Sequence, residues 1–86
     1  MDLQLQNKNV LITGGSKGIG KAIAASFIQE GANVGIAARG EEALQDAQSK
    51  LENVRTYTAD LTNESDRVAL IEKFIKDFGS IDILIN

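Results

Sequence analysis

Val10-Leu11-Ile12-Thr13-Gly14-Gly15-Ser16-Lys17-Gly18-Ile19-Gly20 decides the fold. An apolar run from Lys8 to Thr13 has the continuous hydrophobicity of a strand buried on both faces. A glycine turn follows, and from Gly18 to about Glu30 the spacing is helical, with Ile19, Ile23 and Phe27 four apart and Ala22 beside them. A strand, a tight turn and a helix start make a site for a diphosphate. The first turn of the helix offers unpaired N–H groups and the positive end of its dipole. Glycines without Cβ atoms let the backbone approach the ligand closely.

The rest of the chain repeats the pattern. Gly31 is placed to stop the first helix, and Asn33–Ala38 reads as a second strand. Glu41–Leu51 reads as a polar helix with Ala43, Leu44, Ala47 and Leu51 as its buried stripe. A third strand is expected over Val54–Ala59. Thr62 or Asn63 should cap a helix running to about Phe78, with Val68, Ile71, Ile75 and Phe78 on its inner face and Gly79 as its stop. Ile81–Ile85 is the fourth strand. This β-α-β-α-β-α-β order predicts an α/β fold, the opening half of a doubly wound, Rossmann-type parallel sheet. The expected strand order is 3-2-1-4. Residues 1–86 show no internal boundary.

Composition narrows the chemistry. The 86 residues carry nine basic and twelve acidic side chains, a net charge of −3. That balance argues against nucleic acid as a partner. With no cysteine and no histidine, disulfides, thiol catalysis and imidazole chemistry are excluded. The N-terminus lacks the blocks of a signal peptide and no apolar run has transmembrane length, so the expectation is a cytoplasmic protein away from membranes.

Two glycine motifs overlap in the turn. Gly15-Ser16-Lys17-Gly18-Ile19-Gly20-Lys21 comes close to the phosphate loop of nucleoside-triphosphate hydrolases, but Ala22 stands where that loop needs a Mg²⁺-binding hydroxyl. The third strand, Arg55-Thr56-Tyr57-Thr58-Ala59-Asp60, is also too polar for that class. Read from Thr13, the turn is T-G-x-x-x-G-x-G, which resembles the short-chain dehydrogenase/reductase family. Asp60-Leu61 looks like that family's adenine contact, and Asp82-Ile83-Leu84-Ile85-Asn86 looks like the approach to its N-N-A-G turn. The resemblance runs the length of the chain, and T-G-G-S-K-G-I-G-like turns are commonest in 3-oxoacyl-carrier-protein reductases.

The resemblance implies cofactor-binding roles for Gly14, Gly15, Ser16, Lys17, Gly18, Ile19, Gly20, Arg39, Asp60, Leu61 and Asn86. Gly15, Gly35 and Gly40 also read as structural, and Asp60 as a turn or capping aspartate. Relatives that bind NAD hold the adenosine ribose with an acid at the end of the second strand. Here that position is Ala38, followed by Arg39. The alanine removes a carboxylate that would repel a 2′-phosphate, and the arginine can bind one through forked hydrogen bonds, with Lys17 nearby. The expected cofactor is therefore NADP, with NAD less favoured.

Family members transfer hydride between a nicotinamide and a carbonyl or alcohol, using a Ser, Tyr and Lys set with an assisting Asn. No position of this chain matches that set. Tyr57 is its only tyrosine and has no lysine four residues later. The expectation is the cofactor half of a reductase of roughly 250 residues, inactive by itself. Its uncovered fourth-strand edge or sheet face should drive homo-oligomerisation. Two other classes remain open at this point: a Mg-nucleotide protein, and a non-catalytic binding or assembly module.

Overall fold

A computed structural model describes residues 4–14 and 18–86. Four parallel strands form one sheet in the order β3-β2-β1-β4, with β1 at Asn9–Thr13, β2 at Asn33–Ala38, β3 at Val54–Thr58 and β4 at Ile83–Ile85. The connecting helices are α1 (Gly18–Gln29), α2 (Glu41–Lys50) and α3 (Glu64–Phe78). Element order and strand order match the sequence expectation.

Alternation along the strands separates two cores. Val10 and Ile12 of β1, Val34 and Ile36 of β2, and Val54 of β3 face α1 and α2, where they meet Ala24, Leu44 and Ala47. Leu11, Ala37 and Tyr57 face the other way, toward Leu70 and Phe74 of α3. Register pairs Val10 with Val34 and Ile83, and Val34 with Val54, so like faces align across the sheet.

The helix ends follow their chemistry. Gly31, at φ +88°, closes α1: its N–H donates to Ile28 O (3.0 Å) and the Ala32 N–H to Phe27 O (3.0 Å). That is a left-handed C-terminal cap, for which glycine carries no steric penalty. Asn63, and not Thr62, caps α3, its Oδ1 accepting from the Asp66 N–H at 3.1 Å. At the opposite end of the sheet, Asp82 stands just before β4. Its N–H donates to Asn9 O (2.9 Å) and its Oδ2 accepts from the Asn9 N–H (2.8 Å).

Two buried stripes differ from expectation. On α1, Ala24 is the fully buried residue, with Ile23, Phe27 and Ile28 packed around it, while Ile19 is 81% exposed and Ala22 exposed. A small side chain at Ala24 lets the helix lie close on the sheet, which turns the face by one residue. On α3, Leu70 and Phe74 are buried, with Ile71 and Phe78 at their margin. Val68 is 51% exposed and Ile75 43%. The reason lies on β2, where Gly35 leaves a hollow that the Phe74 ring fills. On α2, Leu44 and Ala47 are buried as expected, and Leu51 packs at the edge of the same core.

Candidate functional site

In an open parallel sheet, ligands bind beyond the carboxyl ends of the strands, where the chain's direction of travel across the sheet reverses. Here the connection after β1 runs to β2 on one side, and the connection after β3 returns to β4 on the other. A cleft of about 520 Å³ opens at that end, lined by Gly14 after β1, Ala38, Arg39 and Gly40 after β2, Ala43 of α2, and Ala59, Asp60, Leu61 and Thr62 after β3. Four residues singled out from the sequence, Gly14, Arg39, Asp60 and Leu61, therefore share one wall-to-wall space.

Gly14 has φ +75°, and its N–H donates to Ala37 O at 2.7 Å, which carries the sheet ladder one step past the strand. A Cβ placed on it would meet no heavy atom within 4 Å, so the bare backbone faces open space. Gly18, Ile19 and Gly20 form the first turn of α1, and none of the three is among the residues that line the cleft. Gly15, Ser16 and Lys17 lie outside the described residues. Asn86 does not line this cleft. It sits past β4 beside Thr13, whose hydroxyl donates to Ile85 O (3.2 Å) with Asn86 Oδ1 at 3.3 Å. Asn86 lines a second, apolar groove of about 580 Å³, bounded also by Leu11, Val68, Ile71 and Leu84. Leu61 belongs to both spaces.

Asp60 closes an Asx turn: its Oδ1 accepts from the Thr62 N–H (3.0 Å) and from the Thr62 hydroxyl (2.6 Å). These bonds, from the hydroxyl first and then the backbone, hold the Asp60 carboxyl below its ordinary value, with the Arg39 charge adding to them. The cleft thus carries an ionised carboxylate on the β3 side and a guanidinium on the β2 side. Its missed lining residues are Gly40, Ala43, Ala59 and Thr62. The Asp-x-Thr spacing of Asp60 and Thr62 is a signal that could have placed Thr62.

Tyr57 has a different occupation. It is buried in β3, and its hydroxyl donates to Asp77 Oδ2 at 2.7 Å. Burial, and then the Asp77 carboxylate, push its phenol far above the ordinary range. It is a packing residue, as its neighbours in sequence suggest. Across the other face, Lys21 of α1 and Lys50 of α2 both reach Asp46, at 2.8 and 3.3 Å, and hold its carboxyl low. Among the described residues no cluster of acidic side chains could hold a metal ion, and no helix is long and apolar enough to cross a membrane.

A family model described as short chain dehydrogenase matches residues 8–86. The chain belongs to that family. An uncharacterized oxidoreductase, YvrD of Bacillus subtilis, is 46% identical over 89 residues, covering 100% of this chain and 34% of the relative. Among solved structures, L-sorbose reductase from Gluconobacter frateurii, complexed with NADPH and L-sorbose, superposes with a TM-score of 0.93 at 35% identity, over 100% of this chain and 35% of that one. The 3-ketoacyl-(acyl-carrier-protein) reductase from Brucella melitensis, complexed with NADH, gives 0.86 at 32% identity, over 93% of this chain and 34% of that one. This short-chain dehydrogenase sequence spans about a third of the length of such relatives.

Proposed function

We propose that this chain forms the adenosine and diphosphate side of a nicotinamide-dinucleotide site, and that the site favours NADP(H). The carrying observation is the pair at the end of β2: Ala38 and Arg39 line the cleft where a ribose-binding carboxylate would exclude a 2′-phosphate. The space fits the group. Bare backbone at Gly14 faces the cleft, and Asp60 and Leu61 form its wall on the β3 side, where an adenosine would lie. Similar structures are found with NADH and with NADPH, which supports the cofactor class, and Arg39 beside Ala38 is what speaks for NADP(H).

The bound nicotinamide would supply the hydride in reduction of a carbonyl or oxidation of an alcohol, a ketoreductase-type reaction. Residues 1–86 serve here as the N-terminal part of one dinucleotide-binding domain, holding the cofactor without providing the acid–base group. The only tyrosine is committed to Asp77. Leu84 and Val68, each 51% exposed beside β4, favour self-association or cover through that face.

Fluorescence titration with NADPH and NADH tests the reading. NADPH should bind about tenfold or more tightly than NADH, the worth of one charge-assisted contact. Equal affinities would remove the case for NADP, and no binding of either would remove the site.

A further inference from the structure

The segment Asp60–Thr62 forms one wall of the cleft, yet it belongs to no strand or helix. Its geometry is imposed from behind by the first turn of α3. Asp66 Oδ2 accepts from the Asp60 N–H at 2.9 Å, and Arg67 Nη1 donates to Leu61 O at 2.9 Å. The Asn63 N–H donates to Asp60 O at 3.0 Å, which closes the segment onto the helix cap. Neither Asp66 nor Arg67 lines the cleft itself.

A plain capping role does not account for Asp66. In a capping box the third helical residue returns its side chain to the N–H of the cap. Asp66 holds that third position, and Asn63 caps it in the usual sense. The return half is missing, because the Asp66 carboxylate reaches past Asn63 to the Asp60 N–H. The helix thus has one of its strongest acceptors fixed on the cleft wall.

We infer that Asp66 and Arg67 are positioning residues for the adenosine end of the cleft, acting through the backbone of Asp60 and Leu61. The inference rests on the cofactor reading above. It assigns the loop's shape, and so the cleft's affinity for an adenine nucleotide, to two side chains outside the site.

The test is calorimetric titration of the natural full-length polypeptide with adenosine 5′-diphosphate, alongside thermal melting. Asp66→Ala should weaken ADP about tenfold, the effect of one charge-assisted hydrogen bond. Asp66→Asn, which keeps an acceptor oxygen, should stay within about twofold of the parent. Glu64→Ala removes a carboxylate from the same helix turn without touching the segment, so it should lower the melting temperature as Asp66→Ala does but leave ADP affinity within about twofold. Unchanged ADP binding in Asp66→Ala, or equal losses in Asp66→Ala and Glu64→Ala, overturns the inference. Should Asp66→Ala fail to fold, Arg67→Ala against Arg67→Lys decides: loss in the first with recovery in the second supports it, and unchanged affinity in both overturns it. A parent protein that takes no ADP overturns the cofactor reading, and the positioning role with it.

Discussion

The Phe74 ring occupies the place where a side chain on Gly35 would stand. A Cβ there would lie 2.8 Å from Phe74 Cε2 and 3.1 Å from Tyr57 Cε2. Gly35 therefore sets how α3 lies on the sheet, because the helix seats its fully buried phenylalanine over the one bare position of β2. Gly35→Ala should destabilise the fold by about 1–3 kcal/mol through overpacking. Phe74→Leu in the same chain should return part of that loss. A double-mutant cycle by chemical denaturation should show coupling of at least about 0.5 kcal/mol, and additive costs would mean that the two residues do not share the hollow.

This pair also marks where local reading stops. Element order, strand order and the helix stops at Gly31 and Gly79 follow from short-range signals: apolar runs, helical spacing and glycine at chain reversals. The inner face of α3 does not, because Val68, Ile71, Ile75 and Phe78 make as good a stripe by spacing as Leu70 and Phe74. The choice is made across the sheet by an absent side chain at Gly35. The cleft divides in the same way. Arg39 follows β2 directly and Asp60 and Leu61 lie within three residues of the end of β3, and the family resemblance singled them out from the sequence. The bonds of Asp66 and Arg67 to that wall depend on how a turn folds back on a helix, which no spacing rule reports.

Asn9 joins three elements at the opposite end of the sheet. Its Nδ2 donates to Phe78 O (3.2 Å) and Ser80 Oγ (3.1 Å), and its Oδ1 accepts from Asn33 Nδ2 (3.0 Å). Asn9 itself is buried while Asn33 and Ser80 are exposed, so removing the amide breaks three part-buried bonds and leaves chiefly the Phe78 carbonyl to be satisfied again. Asn9→Ala should cost about 1–3 kcal/mol in denaturant unfolding. Asn9→Asp should cost more at neutral pH, since it places a carboxylate beside Asp82 and the carbonyl end of α3. The excess should vanish on acidification below about pH 4 as that carboxylate protonates. A penalty for Asn9→Asp smaller than that of Asn9→Ala at neutral pH would contradict the assignment.

Tyr57 gives a direct titration, because it is the only tyrosine and the chain has no tryptophan. Its folded-state pKa is raised, first by burial and then by the hydrogen bond to Asp77. The folded form therefore holds its proton more tightly than the unfolded form. The stabilising contribution is complete below the unfolded value of about 10 and is lost as pH rises above it. Phenolate absorbance should appear late in the native protein, together with the loss of folded structure. Asp77→Asn should bring the midpoint down, and Tyr57→Phe should remove the signal and flatten the alkaline fall in stability. A native midpoint at or below 10 would show that Tyr57 is not held by Asp77 in solution.

On the proposed cofactor reading the preference rests on Arg39, and the exposure of that side chain decides how such a preference should behave. Arg39→Asp should weaken NADPH by roughly ten- to a hundredfold, by removing a forked contact and adding repulsion. NADH should be unchanged or tighter, since the new carboxylate can accept from ribose hydroxyls. Asp60→Asn should weaken both cofactors alike, because Asp60 lines the part of the cleft proposed for the adenosine that they share. Arg39 is exposed at the cleft rim, so its attraction for a 2′-phosphate is open to screening. The NADPH-over-NADH ratio should therefore shrink between low and 0.5 M salt, as the screening length falls to roughly 4 Å. A ratio that ignores salt and survives Arg39→Asp would place the source of preference elsewhere in the turn.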